Sequence, residues 1–258
     1  MCYGAPDAAN LPVYVAREDH ATYLRSNGIR DATAIGLPFV YTPRCEVSKR
    51  PNSLLVVPTH TLSGDSADTF EDRTSFQKYA SEIAAVRSHF DEIWACIHPS
   101  CAKNGLWIEE MKSAGCNIVQ GASVGDRNAL LRMKTLFSTF GYVTTNGWGS
   151  HIPYAMACGA MVSVHGTKPD RTLGQMLRDS TWAENPDAAK RAVSPATKEK
   201  ESQFLGQFRC LPHLAKSNAA LGRKLIGADH KVSRRKMRQL LANAFEQPLT
   251  LLEKLRPF

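Results

Sequence analysis

The chain contains no run of about 18 apolar residues, so no helix is expected to span a membrane. Its opening residues, Met1 to Asp7, show no basic region followed by an apolar core, and no signal peptide is expected there. Cysteine is sparse and irregular: the 7 residues are an odd number. Cys96, Cys116 and Cys158 sit in or beside apolar runs, where a thiol packs as a small hydrophobe. Cys96 and Cys101 flank Pro99, and no second Cys or His pair has the spacing of a zinc site. A metal-free protein of a reducing cytoplasm is therefore expected, with no cofactor. Low-complexity tracts and internal repeats are lacking, as is any recognised nucleic-acid motif, so nucleic acid is not an expected partner.

What remains is ordinary in bulk and uneven in detail. Apolar residues make up 43% and charged residues 22% of 258, which suits a globular chain with a sizeable core. The net charge of +8 is concentrated at one end. From Lys190 to Phe258 there are 15 Lys and Arg against 5 Asp and Glu. That basic stretch suits an anionic surface, such as lipid headgroups, or a solvated helical face.

Between Ser53 and Gly166 short β-rich runs alternate with amphipathic helices. Leu54 to Pro58, Glu92 to Ile97, Asn117 to Gln120 and Gly141 to Thr145 read as strands, with a further strand closing at Gly166. Ser75 to Phe90, Gly105 to Ala114 and Asn128 to Phe140 read as helices. This alternation predicts an α/β domain with a doubly wound parallel sheet. Residues 1–45 read as an approach segment, 46–170 as the α/β domain, and 171–258 as a basic, helical C-terminal tail. Glu184 to Glu201, poor in apolar residues, reads as a loop or loosely held helix.

Ligands of such sheets bind at the carboxyl ends of the strands. Three motifs fall there: Pro58-Thr59-His60-Thr61, His98-Pro99-Ser100, and Thr144-Thr145-Asn146-Gly147-Trp148-Gly149-Ser150. The last is a glycine-rich turn that leads into a helix which Ser150 can cap. Backbone N–H groups and the helix dipole there suit a phosphate. Each motif offers hydroxyl, imidazole or backbone donors, and none offers a carboxylate. An imidazole, His98 or His60, could hold a phosphate oxygen or protonate a leaving group.

Taken in order, Leu54 to His60, Ile97-His98-Pro99, Asp126 to Leu131 and Val143 to Ser150 with the strand that follows resemble the donor-binding half of GT-B glycosyltransferases. The stretch is most similar to CDP-glycerol glycerophosphotransferases and to bacterial surface-polysaccharide transferases. The resemblance covers about residues 50 to 166. It implies a Rossmann-like domain equivalent to the GT-B C-terminal half, with residues 1–45 as the remnant of an N-terminal half. It implies a metal-independent transferase that takes a nucleotide-activated sugar or alditol donor of CMP, CDP or UDP type. The acceptor would be a glycan or a lipid-linked one, at the inner membrane face. His98 would stabilise the leaving phosphate, with Pro99 and Ser100 beside it. Thr145, Gly147, Gly149 and Ser150 would bind phosphate through hydroxyl and backbone N–H, with Thr144, Asn146 and His151 among the substrate-binding residues. Thr59 and His60 would line the cleft. The acidic residue of the family's turn is Asn146 here, and His60 stands where Arg or Trp is expected. Two other readings stay open: a non-catalytic nucleotide-binding or partner subunit of a split transferase, which the short N-terminal part favours, and a nucleotide-sugar epimerase of the same fold, which needs cleft carboxylates that the rim motifs do not offer.

Overall fold

The computed structural model describes residues 12–59, 73–123, 125–168, 172–178 and 180–246. The chain divides into two compact units. One is Thr42–Arg223; the other joins residues 12–41 to residues 224–246.

In chain order the second unit begins with β1 (Val13–Val15), α1 (Glu18–Ser26) and β2 (Ala32–Ala34). The strands pair in parallel, Val13 with Ala32 through Val15 with Ala34. Ala21, Leu24 and Ala32 form the small core of this βαβ element. The distant part of the sequence closes on it. Leu37 N–H donates to Ile226 O at 2.9 Å. The Tyr14 hydroxyl donates to Leu240 O at 2.8 Å, on the last described helix (Arg234–Glu246). Sequence patterning alone puts these two pieces in separate segments, because nothing local in either announces the other.

The larger unit is the α/β domain. It runs β3 (Arg50–Val56), α2 (Thr74–Ala84), β4 (Glu92–Ile97), α3 (Pro99–Lys103), α4 (Ile108–Ser113), β5 (Asn117–Gln120), α5 (Ala129–Thr139), β6 (Phe140–Thr145), α6 (His151–Ala157) and β7 (Met161–Val164). The sheet order is β5-β4-β3-β6-β7, and every pairing is parallel. This is a doubly wound, Rossmann-like sheet. From β3 the chain first steps outward through β4 to β5, then returns to the other side of β3 for β6 and β7. The direction reverses between β3 and β6, and a crevice opens outside their carboxyl ends.

The strands are apolar because both sheet faces are covered. Leu54 and Val56 belong to one core cluster, and Leu55 between them is also fully buried. α2 buries Phe76, Tyr79, Ala80 and Ile83, one face at helical spacing. Trp107, 1% exposed, fills the space beside Phe76, with ring centroids 4.2 Å apart. Its φ of 73° is the single positive value among described non-glycine residues. With Gly105 at φ 66°, this left-handed backbone delays α4 to Ile108, later than the expected start at Gly105.

After β7 the unit continues through α7 (Leu173–Met176), α8 (Ser180–Ala183), α9 (Pro186–Ala192), α10 (Pro195–Gly206) and the part of α11 (Ala219–Leu225) up to Arg223. The stretch expected to be loop or loose helix thus forms two helices. Capping supplies what apolar content lacks. Asn185 accepts from Ala188 N–H and Ser194 from Thr197 N–H, each followed by proline at the first helical position. Ala189 and Met176 anchor the segment in a small core of its own.

Candidate functional site

The carboxyl ends of β3, β6 and β7 are tied together by one hydrogen-bonded chain. Asn146, 3% exposed, sits just past β6. Its Oδ1 accepts from Thr59 N–H at 2.8 Å and from Thr59 Oγ1 at 2.9 Å. Its Nδ2 donates to Thr167 O at 2.8 Å, beyond β7. A carbonyl cannot donate, so this contact fixes which way the amide is turned. Thr59 O in turn accepts from Trp107 Nε1 at 3.2 Å. Thr167 N–H and Oγ1 donate to the Glu82 carboxylate of α2, at 2.6 and 2.8 Å. Five residues from separate parts of the domain therefore hold the rim of the crevice in one arrangement.

Gly147 follows inside this network, and its lack of a side chain is a requirement. A Cβ there would lie 2.4 Å from Thr59 Oγ1. The aliphatic stem of Lys168 passes 3.5 Å from the same point. Gly147 N–H approaches Thr145 Oγ1 at 3.3 Å, and His151 Nε2 lies 3.0 Å from that oxygen. Thr145 is fully buried. Thr144 is fully buried too, and its Oγ1 accepts from Ser163 Oγ at 2.8 Å, so its hydroxyl serves the pairing of β6 with β7. Gly149 abuts the His151 ring, at 2.4 Å from the Cβ position. Ser150 makes no capping bond. Its backbone is already helical (φ −62°, ψ −18°), not extended as a capping residue requires. Its hydroxyl bonds to Tyr154, whose phenol is pushed up by burial against the opposing pull of that bond.

His98 closes β4 and caps α3: its Nδ1 accepts from Ser100 N–H at 3.2 Å, and Ser100 Oγ lies 2.6 Å away. An Nδ1 that accepts leaves the proton of the neutral ring on Nε2, a donor tautomer. Pro99 takes the first helical position. β4 neighbours β3 in the sheet, so His98 and Thr59 end adjacent strands. His60, the other imidazole expected at the rim, lies outside the described residues.

Beside this rim, at the ends of β6 and β7, is a cavity of about 820 Å³. Asn146 forms part of its wall, with His165, Lys168, Lys198, Glu201 and Arg209. The sequence motifs pointed only to Asn146 among these. Glu82 and Trp107 also went unmarked, since neither belongs to a rim motif. The paired Gly166-Thr167 after β7 was the available signal: a Cβ on Gly166 (φ 87°) would lie 2.4 Å from the Tyr79 ring. Tyr79 Oη is buried without a partner among the described residues, and burial pushes its phenol well up. Burial likewise raises the Cys96 thiol to about 12 and the Cys116 thiol to about 11, which keeps both protonated and inert. Among the described residues no three His, Cys, Asp or Glu side chains gather to hold a metal ion. No described helix is long and apolar enough to cross a membrane.

No protein-family model matches the chain, and no curated protein matches it. Solved structures similar to it include Os79 from O. sativa in complex with UDP and deoxynivalenol-3-glucoside, at 13% identity and a TM-score of 0.43, covering 92% of this chain and 55% of that one. A second Os79 structure, in complex with a trichothecene, aligns at 14% identity and a TM-score of 0.39, over 90% of this chain and 53% of that one. An S. aureus TarM mutant in complex with fondaparinux, alpha-GlcNAc-glycerol and UDP aligns at 10% identity and a TM-score of 0.37, over 93% and 45%. The chain spans about half the length of these structures.

Proposed function

We propose that this chain is the donor-binding domain of a glycosyltransferase that takes a nucleotide-activated sugar or alditol. The observation that carries the reading is the rim at the β3–β6 reversal. There Asn146 locks Thr59 and Thr167 in place around Gly147, with a cavity alongside. A rigid, glycine-lined backbone at a topological switch point is where open α/β sheets receive nucleotides. Gly147 and Gly149 let Thr59 and His151 pack against the turn, which holds the rim in the shape a diphosphate would meet. His98, in its Nε2–H tautomer, would donate to a phosphate oxygen as the leaving group develops charge. The donors at the rim motifs are imidazole, hydroxyl and backbone N–H, so phosphate charge would be offset by the protein's own groups. The finer reading is a metal-independent transferase of cell-surface polysaccharide assembly, acting on a glycan or lipid-linked acceptor. The basic face of Arg234–Glu246, with Arg234, Arg235 and Arg238 exposed, fits an anionic membrane surface.

Thermal-shift titration of the full chain with CMP, CDP, UDP and GDP tests this. A ligand specific to the folded state adds about 2.7 kcal/mol at 100 times its dissociation constant. A rise in melting temperature selective for one base is expected, and it should vanish in His98→Ala combined with Gly147→Val. No shift with any of the four, from a cooperatively melting sample, would overturn the reading.

A further inference from the structure

We infer that the cavity beneath α9 and α10 receives an acidic group carried by the donor's transferred moiety, and that Glu201 is the internal carboxylate this group replaces. The inference rests on the donor reading above and names the class of the transferred group.

The cavity has an apolar floor and a cationic rim. Val164, Met176 and Leu205 form the floor, and all three are buried. Among the described residues, three cationic side chains, Lys168, Lys198 and Arg209, line the rim against one carboxylate, that of Glu201. A neutral sugar is recognised by a balance of acceptors and donors for its hydroxyls. This lining is weighted toward charged donors, and its one carboxylate is engaged: Glu201 Oε1 lies 2.5 Å from Lys168 Nζ. The Lys168 side chain is 43% exposed in that pair and the Glu201 side chain 23%. Ion pairs so exposed are held weakly, so a ligand carboxylate can take over the ammonium with little loss.

Two of the cations stand on backbone that the fold holds still. Lys168 follows Thr167, which Asn146 and Glu82 grip from opposite sides, and its stem lies against Gly147. Arg209 follows Phe208, whose carbonyl accepts from Val164 N–H at 2.8 Å, and Arg209 itself bridges to Val164 at the end of β7. Its guanidinium, 3.4 Å from Ser202 Oγ, is a planar fork suited to a carboxylate or phosphate. Lys198 reaches the same space from α10.

Phosphate oxygens of the nucleotide share this anionic chemistry, and the experiment separates the two sources. The full chain is titrated calorimetrically with UDP, UDP-glucose, UDP-glucuronate, GDP-mannose and GDP-mannuronate. The acidic member of one pair should bind about tenfold tighter than its neutral partner, the effect of one added charge-assisted contact. Lys198→Gln and Arg209→Gln should each remove most of that preference and leave the neutral sugar nucleotide unchanged. Glu201→Gln should enlarge it. These three side chains are partly or largely exposed, so the variants should fold; their melting curves check this. Equal binding of acidic and neutral partners overturns the inference and leaves the donor reading standing. A loss shared equally by UDP, UDP-glucose and UDP-glucuronate in the variants also overturns it, and assigns the cations to the nucleotide phosphates. Absence of binding by all five overturns the inference, and the donor reading falls with it when CMP and CDP also leave the melting temperature unchanged.

Discussion

Replacing Asn146 by aspartate changes one group and separates the physical roles of the amide. Asn146 accepts two bonds from Thr59 and donates one to Thr167 O. Aspartate keeps both acceptor bonds. Ionised, it cannot donate, and its oxygen would face the Thr167 carbonyl at the 2.8 Å now bridged by an N–H. The lost bond is worth about 1 kcal/mol, and the acceptor left facing it about 1–3 kcal/mol more. A total near 2–4 kcal/mol corresponds to roughly 5–15 °C in melting temperature for a domain of this size. The deficit should depend on pH. At 3% exposure, burial and the facing carbonyl both disfavour the ionised form, so the folded-state pKa is raised above the unfolded value of about 3.9. A protonated carboxyl can donate to Thr167 O and replace the amide. The variant's stability relative to the parent should therefore be nearly intact near pH 4. It should fall as pH rises toward the folded-state pKa, by up to about 1.4 kcal/mol per unit. Melting curves of parent, Asn146→Asp and Asn146→Ala at pH 4.5 and 7.5 measure this, and Asn146→Ala should show a deficit that pH leaves alone. An Asn146→Asp deficit equal at both pH values would refute the reasoning, as would a variant as stable as the parent at pH 7.5.

Two further outcomes follow from the same geometry. Gly147→Ala places a methyl 2.4 Å from Thr59 Oγ1, and should cost about 1–3 kcal/mol through overpacking. Thr59→Ala should relieve part of that cost, so a double-mutant cycle read by urea unfolding should give a non-zero coupling; strict additivity would sink the claim that the two positions collide. The His89 and His213 rings stack with centroids 3.6 Å apart, and burial, then the charges of His89 and His165, hold the His213 imidazole below its usual value. Its unfolded form thus takes a proton more readily, so stability should fall as pH drops through about 6.5. His213→Phe should keep the stack and flatten that fall; an unchanged slope in urea midpoints between pH 8 and 5.5 would count against it.

Much of the α/β domain was legible because its signals are local. Leu54 to Val56, Ile93 to Ile97 and Val143 to Thr145 announce strands through runs of buried apolar and β-branched residues. Periodicity located α2 and α5 to within a few residues, apart from the end of α2. There the helix stops at Ala84, and Arg87–His89 forms a separate 3-10 turn. α4 starts later than its sequence pattern indicates because nothing in Trp107 signals a left-handed backbone. α9 and α10 hold too few apolar residues to show helical periodicity, and their local signal is the Asn185-Pro186 and Ser194-Pro195 capping pairs.

By itself, the sequence determined which segments of the larger unit are strands, the order in which the three motifs reach the carboxyl rim, and the glycines of the turn; the paired strands Val13–Val15 and Ala32–Ala34 lie in what reads as an approach segment. Those properties depend on neighbours a few residues apart. Only the tertiary structure decided that Asn146 serves Thr59 and Thr167, that Thr144 pairs inward with Ser163, and that Glu82 and Trp107 complete the rim. It alone joined residues 12–41 to 224–246 and set Glu201 against Lys168. These partners are 87 residues apart for Thr59 and Asn146 and 85 for Glu82 and Thr167. A hydrogen bond across that distance leaves no period in the sequence; it exists only once the parallel sheet has brought the ends of β3, β6 and β7 side by side.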